Sequence, residues 1–199
     1  MVKLGIFARP PVPGQVKTRL IPELGAIKAT QIYRHCLRHA IDTARESGLE
    51  FQLHLTKKSD DPLFDNEEQC LQTGEDLGAR MLLALQNQLK TASTGAIIIG
   101  SDCLDLRARH LLQAAQALQT HDLVFLPALD GGFALIGCRQ IQPPLFEAVN
   151  WSTDQVLQQT LANAKALAYR VCLLETVRDI DRLQDLDPYP ELLKLIATS

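Results

Sequence analysis

The sequence predicts an α/β fold in which helices cover both faces of a mostly parallel sheet, giving three layers in the order α/β/α. Strand-like and helix-like segments alternate along the whole chain, which is typical of parallel sheets with helical crossovers. The run at residues 96–100 is apolar throughout, as expected of a strand buried on both faces. The chain has 199 residues without a repeat or linker, and we expect residues 1–199 to form one domain.

The individual elements follow from hydrophobic spacing and from turn residues. Alternating apolar positions or short apolar runs predict six strands, at residues 2–8, 51–55, 96–100, 122–127, 133–138 and 169–174. Apolar positions three to four residues apart predict five helices, at residues 26–47, 75–89, 107–119, 153–167 and 190–197. Gly48 is expected to end the first helix, and Ser152 or Thr153 to cap the fourth. Residues 9–22 and 57–68 are expected to be irregular.

Composition restricts the expected partners to small molecules. The formal net charge of −3 gives no sign of a basic surface for nucleic acid. No apolar run approaches the roughly 20 residues of a membrane span, and residues 1–6 lack the order of regions in a signal peptide. The five cysteines are odd in number and contain no C-x-x-C pair, which favours a reduced, cytoplasmic setting.

The loop after the first strand has the composition of a phosphate-binding loop. Prolines stiffen residues 9–14, and Gly14 permits a close approach of the backbone. The cations in and beside it are Arg9, Lys17 and Arg19. This combination suits a polyphosphate, although a surface loop with solvated charges has the same composition. A P-loop is excluded, because Val16 stands where the motif requires a glycine before the lysine.

Asp102 follows the most apolar predicted strand and is the leading metal-binding candidate. A carboxylate at the end of a buried strand suits Mg²⁺ or Mn²⁺, which bind oxygen ligands together with water and substrate phosphates. Capping of the next segment is the alternative for Asp102, and for Asp105 it is the favoured one. Near the end of the chain, Asp179 and Asp181 form a second carboxylate pair, for which helix capping is again the alternative.

Two further segments are candidates for contact with an acceptor molecule. The turn at Asp130, Gly131 and Gly132 could hold an acceptor against the backbone, with Asp130 as a base, or it could be a plain hairpin turn. The second segment comprises Trp151, Ser152 and Thr153. For Trp151 a place in the core is slightly favoured over a substrate platform.

Six segments, in this order, resemble a bacterial family of GT-A-like transferases. They are residues 7–20 (FARPPVPGQVKTRL), 72–81 (QTGEDLGARM), 100–102 (GSD), 130–132 (DGG), 151–153 (WST) and 179–181 (DID). That family was long of unknown function and is also described as glycosyltransferases linked to radical-SAM or arsenosugar gene clusters. More distantly, the chain is similar to molybdenum-cofactor nucleotidyltransferases and phospholactate guanylyltransferases.

The resemblance implies a nucleotide-diphospho-sugar transferase fold and a role for each segment. It implies that the first loop binds nucleotide phosphates through Arg9, Gly14, Lys17, Thr18 and Arg19. It also implies that Gln72, Gly74 and Arg80 line the nucleotide pocket. Asp102 would be the metal aspartate, and Asp179 or Asp181 the second ligand. The chain departs from the family pattern at Cys103, Leu104, Ala134 and Arg182, which puts the acceptor in doubt more than the fold.

The function expected from the sequence is metal-dependent transfer from a nucleotide-activated donor, with Asp102, Lys17 and Asp130 as catalytic residues. The family resemblance favours glycosyl transfer from a nucleotide sugar to a small acceptor. The basic loop favours the alternative, transfer of a nucleotide from a nucleoside triphosphate to a small phosphorylated acceptor. A catalytically degenerate nucleotide-binding protein is the second alternative. Self-association is left open.

Overall fold

The computed structural model describes residues 1–197, which hold five helices and one seven-stranded sheet. The strands are β1 (Val2–Ala8), β2 (Glu50–Leu55), β3 (Gln69–Leu71), β4 (Gly95–Ile99), β5 (Leu123–Pro127), β6 (Phe133–Cys138) and β7 (Val171–Leu173). The helices are α1 (Ile21–Ser47), α2 (Leu77–Leu89), α3 (Ala108–Ala117), α4 (Val156–Ala166) and α5 (Pro190–Ala197). The predicted single domain includes residues 198 and 199, which lie outside the described residues. In the described part of the chain, no helix is long and apolar enough to cross a membrane.

The sheet is mostly parallel and has the order β3-β2-β1-β4-β6-β5-β7. Only β6 runs antiparallel to its neighbours among the described strands, pairing with β4 on one side and β5 on the other. After β1 the chain moves outward to β2 and β3, whereas after β4 it builds the other half of the sheet. The boundary between β1 and β4 is therefore a topological switch point. In open α/β sheets, ligands bind outside the carboxyl ends of the strands at such a point.

Helices cover both faces of the sheet, which confirms the predicted three-layer α/β class. Alternate strand residues point to opposite faces, so each strand contributes to two hydrophobic clusters. In β4, Ile97 and Ile99 pack with α1 and α3, whereas Ala96 and Ile98 pack with α2 and α4. A third cluster, which includes Ile32 and Leu192, joins α1 to α5.

Most element ends lie within two residues of their predicted positions, and three elements differ further, each for a local reason. Helix α1 begins at Ile21, five residues early, but Gly25 has non-helical angles (φ 77°, ψ 160°), so the predicted segment is the regular part after this break. The predicted start of α4 at Thr153 is wrong, and so are the proposed caps. Ser152 has a left-handed φ of 65° and Thr153 donates to the Asn150 carbonyl, which forms a turn before Gln155, the N-cap residue. Strand β3 was not predicted, because three residues carry too little periodicity.

The turn between β5 and β6 requires glycine at position 131. Gly131 has a φ of 88°, and a Cβ there would lie 2.0 Å from the backbone oxygen of Asp154. The Gly131 carbonyl also accepts a hydrogen bond from the Leu157 amide, so α4 is docked against this turn. Gly131 therefore permits a close approach of the Asp154 backbone, which belongs to the protein itself and not to an acceptor.

We predict that Gly131→Ala lowers the free energy of unfolding more than Gly48→Ala does. Gly48 has a similar φ of 69° but open space around it, so an alanine there costs only the conformational strain, about 1–2 kcal/mol. At Gly131 the same strain is joined by a backbone clash that adds about 1–3 kcal/mol. Urea unfolding of both variants measures the difference, and equal midpoints would contradict the proposed packing of α4.

Candidate active site

The loop after β1 and the end of β4 meet at the switch point through one ion pair. The Lys17 ammonium lies 2.9 Å from Oδ1 of Asp102 and also donates to the backbone carbonyl of Ile180. The Ile180 amide in turn donates to the Asp102 carbonyl at 2.9 Å. Three segments that are distant in sequence thus converge on the carboxyl ends of neighbouring strands.

Lys17 is fixed in an inward orientation by its backbone. Its φ of 46° and ψ of 44° are left-handed, which is uncommon for a residue with a side chain. Its side chain is only 4% exposed. Burial lowers the pKa of Lys17, but the charge and hydrogen bonding of Asp102, together with the smaller effects of Cys36 and Asp181, outweigh this, and the net effect is a raised pKa. Lys17 is therefore a permanent cation at neutral pH.

Asp102 has one buried face and one open face. Its Oδ1 is buried, and although Lys17 lies beside it, no hydrogen bond to this oxygen has acceptable geometry. The side chain as a whole is nevertheless 49% exposed, so the part away from Oδ1 faces solvent. Asp102 can therefore keep Lys17 on one side and bind a second cation on the other.

Further carboxylates lie near this pair. Burial is the main cause of a rise in the pKa of Asp179 to about 6, and the neighbouring charges of Asp130 and Asp181 add to it. Asp181 is paired with Arg19 from the first loop. The structure places the segment at 179–181 beside Asp102, since the Ile180 amide donates to the Asp102 carbonyl. The capping alternative applies to Asp185 instead, because its Oδ2 accepts from the amides of Asp181 and Arg182.

A divalent metal fits this site only if substrate completes its coordination. Within residues 1–197, no group of three or more His, Cys, Asp or Glu side chains is arranged to hold a metal ion. Asp102 offers an open carboxylate face, and the mutual repulsion around Asp179 is of the kind that a bound cation relieves. Mg²⁺ in particular often takes one or two carboxylates and fills its remaining positions with water and phosphate oxygens.

The remaining residues of the first loop form its outer surface. Arg9, Gly14, Thr18 and Arg19 are exposed, and Gly14 has a φ of 82° with open space around it. The loop therefore presents cations and backbone to solvent beside the Lys17–Asp102 pair. This arrangement leaves room for an anionic ligand.

Tyr33 is a residue of the site that sequence reasoning missed. Its hydroxyl accepts from the Arg9 amide at 2.8 Å, donates to the Arg9 carbonyl at 3.0 Å and lies 3.3 Å from the Ser101 hydroxyl. It therefore ties the start of the basic loop to the residue before Asp102. A buried tyrosine on α1 reads in sequence as a core residue, and nothing in its spacing signals these contacts.

The segment from Gln72 to Arg80 lies on the β2 side of the site. The Gln72 amide donates to the carbonyls of His54 and Ala8 and so fixes the segment to β1 and β2. Gly74 has a φ of 135° and accepts from Nε of Arg80. The N-terminus of α2 is capped by Asp76, whose side chain accepts from the Ala79 amide.

The residues expected to bind an acceptor have largely internal contacts. Trp151 packs edge-on against Phe146 with ring centroids 5.7 Å apart, and it occupies the space over Gly78, as the core interpretation predicts. Asp130 accepts from the Gly132 amide at 2.8 Å and remains exposed. Ser152 and Thr153 belong to the turn before α4.

The departures from the family pattern are mostly buried. Cys103, Leu104 and Ala134 are buried, so they do not form an acceptor surface, whereas Arg182 is exposed. Burial raises the pKa of the Cys103 thiol to about 12, which leaves it unreactive. The capping role favoured for Asp105 is wrong, because Arg107 is the N-cap residue of α3, and Asp105 instead accepts from the Tyr189 hydroxyl and the Arg178 amide.

We predict that Asp102→Asn lowers the free energy of unfolding by about 1–3 kcal/mol, because it leaves the buried Lys17 ammonium without a carboxylate. Asp130→Asn is the matched control, since an asparagine oxygen can still accept from the Gly132 amide. We expect no loss of stability in that variant. Urea unfolding tests the pair, and an Asp102→Asn protein as stable as the wild type would contradict the role assigned to this ion pair.

Several solved structures resemble this chain. A protein from Desulfovibrio desulfuricans G20, provisionally assigned as a nucleotide-diphospho-sugar transferase, is 28% identical, with a TM-score of 0.86 over 93% of this chain and 84% of its own. A nucleotidyl transferase from Methanothermobacter thermautotrophicus is 12% identical, with a TM-score of 0.60 over 98% of each chain. A Mycobacterium tuberculosis H37Rv protein in complex with manganese is 16% identical, with a TM-score of 0.51 over 100% of this chain and 99% of its own.

The family assignment comes from the sequence itself. No curated protein matches the chain. Residues 36–153, more than half of the chain, match a bacterial family that is defined by its conservation and not by a known activity. The resemblance inferred from the motifs and the fold of the solved neighbours agree with that match. The chain therefore belongs to the family described as uncharacterized proteins conserved in bacteria, DUF2064, and has a fold like that of nucleotide-diphospho-sugar transferases.

Proposed function

We propose that this protein is a metal-dependent transferase that moves a glycosyl group from a nucleotide sugar to a small acceptor. The observation that carries the proposal is the 2.9 Å contact between Lys17 and Asp102 at the switch point of the sheet. It joins a basic loop to a carboxylate where ligands bind in this class of fold. The likeness to the transferase from Desulfovibrio desulfuricans supports the donor class.

The first loop is proposed to bind the donor's diphosphate. Arg9 and Arg19 are exposed cations beside the buried ammonium of Lys17. The side chain of Thr18 and the backbone of Gly14 add hydrogen-bonding groups at the same surface. In the proposed complex, Arg19 exchanges part of its pairing with Asp181 for the phosphates. Gln72, Gly74 and Arg80 border the nucleoside end.

Asp102, with Asp179 or Asp181, is proposed to hold Mg²⁺ or Mn²⁺. The metal would neutralise charge on the diphosphate as the leaving group departs. Lys17, whose raised pKa keeps it charged, holds the Asp102 carboxylate in position from its buried side. The positive field of Lys17 and the two arginines also favours the charge that develops on the leaving phosphate oxygen.

Asp130 is proposed as the base that activates the acceptor. A hydroxyl oxygen of the acceptor forms a bond to the anomeric carbon while the bond from that carbon to the diphosphate oxygen breaks. The hydroxyl proton passes to the exposed carboxylate of Asp130, and the nucleoside diphosphate leaves with the electron pair of the broken bond. Gly132, whose amide bonds to Asp130, holds the carboxylate in place. Gly131, Trp151, Ser152 and Thr153 shape the acceptor side in this proposal.

Nucleotidyl transfer is the second candidate, favoured by the concentration of cations in the first loop. In that reaction a phosphate oxygen of the acceptor attacks the α-phosphorus of a nucleoside triphosphate, and pyrophosphate leaves. The same basic loop and metal carboxylates would serve either reaction. A catalytically inactive nucleotide-binding protein is the remaining alternative.

One set of incubations distinguishes glycosyl transfer, nucleotidyl transfer and binding without catalysis. Purified protein is incubated with Mn²⁺ and either nucleoside triphosphates or nucleotide sugars, with candidate acceptors. Release of a nucleoside diphosphate from a nucleotide sugar supports the proposal, whereas release of pyrophosphate supports nucleotidyl transfer. Thermal stabilisation by a nucleotide without turnover supports the binding protein. No stabilisation by any nucleotide refutes the proposed site.

We predict that Asp102→Asn abolishes the Mn²⁺-dependent part of nucleotide binding. The variant removes a charged metal ligand but keeps the size of the side chain, so the affinity for metal and nucleotide together should fall at least about ten-fold. Asp60→Asn is the control, because Asp60 is an exposed aspartate outside the site. Titration with Mn²⁺ at a fixed nucleotide concentration measures the effect. An Asp102→Asn protein that binds like the control would rule out Asp102 as the metal ligand.

A further inference from the structure

A second cavity, of about 270 Å³, lies between α2 and the β1-β2-β3 half of the sheet. Its floor is formed by residues on one face of neighbouring strands, among them Gln52, His54 and Cys70. Asn87 and Gln88 of α2 form the opposite wall. No described residue of the 9–20 loop lines the cavity. Its lining does include Gln72 and Arg80, so the cavity adjoins the nucleoside end of the proposed site without reaching the Lys17–Asp102 pair.

The floor of the cavity is shaped around two buried polar side chains. A Cβ at Gly5 would lie 2.7 Å from Nε2 of Gln88 and 2.9 Å from Cδ2 of His54, so glycine in β1 makes room for both. His54 stacks on Phe7 at a centroid distance of 5.4 Å. Burial lowers the pKa of His54, which keeps the imidazole neutral at neutral pH.

Gln88 lines the cavity and carries an unsatisfied acceptor, Oε1. Its side chain is 6% exposed, and its Oε1 has no hydrogen-bond partner among the described residues. Its Nε2 lies 3.4 Å from Nε2 of His54 and is thereby engaged. A buried acceptor without a donor is costly to stability, and such atoms are rare in native proteins. A ligand that donates a hydrogen bond would remove this cost.

The charges around the cavity cancel. Lys3 and Arg80 are the charged residues of the lining, and Lys3 is paired with Glu50. Glu68 lies close enough to His54 and Cys70 to affect the pKa of each. Arg80 uses Nε to bond the Gly74 carbonyl, so its terminal nitrogens can still donate. The cavity therefore presents a donor at its rim and an acceptor in its interior, without a net charge.

We propose that this cavity binds a small uncharged molecule with several hydroxyl groups, of about the size of a monosaccharide. A hydroxyl group both donates and accepts, so one such molecule can donate to Oε1 of Gln88 and accept from Arg80. An inorganic anion would satisfy Arg80 but place another acceptor beside Oε1. The volume lies just below the range of about 300–1,000 Å³ typical of ligand pockets, which suits a ligand of this size. This inference does not rest on the proposed transfer reaction.

Saturation-transfer NMR and calorimetry on the full-length protein can test the proposal with D-glucose, D-ribose and myo-inositol as probes. We expect at least one probe to bind saturably, with a dissociation constant on the order of millimolar for so small a ligand. Gln88→Met should weaken this binding at least about ten-fold, because it removes the acceptor at nearly constant volume. Gln86→Met, on the same helix but outside the lining, should bind like the wild type.

Stability measurements separate lost binding from lost folding. Gln88→Met removes an unsatisfied buried acceptor but also the 3.4 Å contact to His54, so the two effects oppose each other and its thermal midpoint without ligand should stay close to that of the wild type. Asp102→Asn should retain probe binding, whatever the fate of the proposed transferase activity. The proposal is overturned if none of the three probes binds, or if Gln88→Met binds as well as the wild type. It is also overturned if adenosine or inorganic phosphate displaces every probe that binds, or if Asp102→Asn abolishes probe binding.

Discussion

The buried ammonium of Lys17 constrains the architecture around the switch point more than any other group of the site. A charge removed from water must be compensated, and here the compensation comes from the Asp102 carboxylate and the Ile180 carbonyl. Because these groups belong to the loop after β1, the end of β4 and the segment after β7, satisfying one cation brings three parts of the chain together. Lys17 occupies only the Oδ1 side of Asp102. The other side of the carboxylate faces solvent and is available to a metal.

Much of the fold is readable from the sequence, because the strands of a doubly covered sheet are apolar throughout. The hydrophobic run that becomes β4 was placed to within one residue, and Gly48 ends α1 as its type predicts. Failures occur where local turn chemistry or tertiary pairing decides. The left-handed backbone at Ser152 delays the start of α4, and β3 exists through pairing with β2.

The candidate site was predictable as a set of residues but not as a set of contacts. Each of these residues follows a strand, and this indicates a common edge of the sheet for Lys17, Asp102 and the aspartates at 179–181. No spacing rule indicates that Lys17 is turned inward towards Asp102, since that orientation depends on a left-handed backbone at a non-glycine residue. The contacts of Tyr33 were missed for the same reason. Cys103 and Ala134, which differ from the family pattern, are buried.

The hydrogen bond from Lys17 to Ile180 spans 163 positions of the chain. During synthesis, β1 and its basic loop leave the ribosome long before the segment that completes the site. Until residues 179–181 emerge, the Lys17 side chain lacks one of its two oxygen partners and the adjoining core cluster lacks Ile180. The first half of the sheet can pair beforehand, but the candidate site cannot take its final form. The contacts of Lys17 are completed only when the segment at 179–181 joins the ends of β1 and β4.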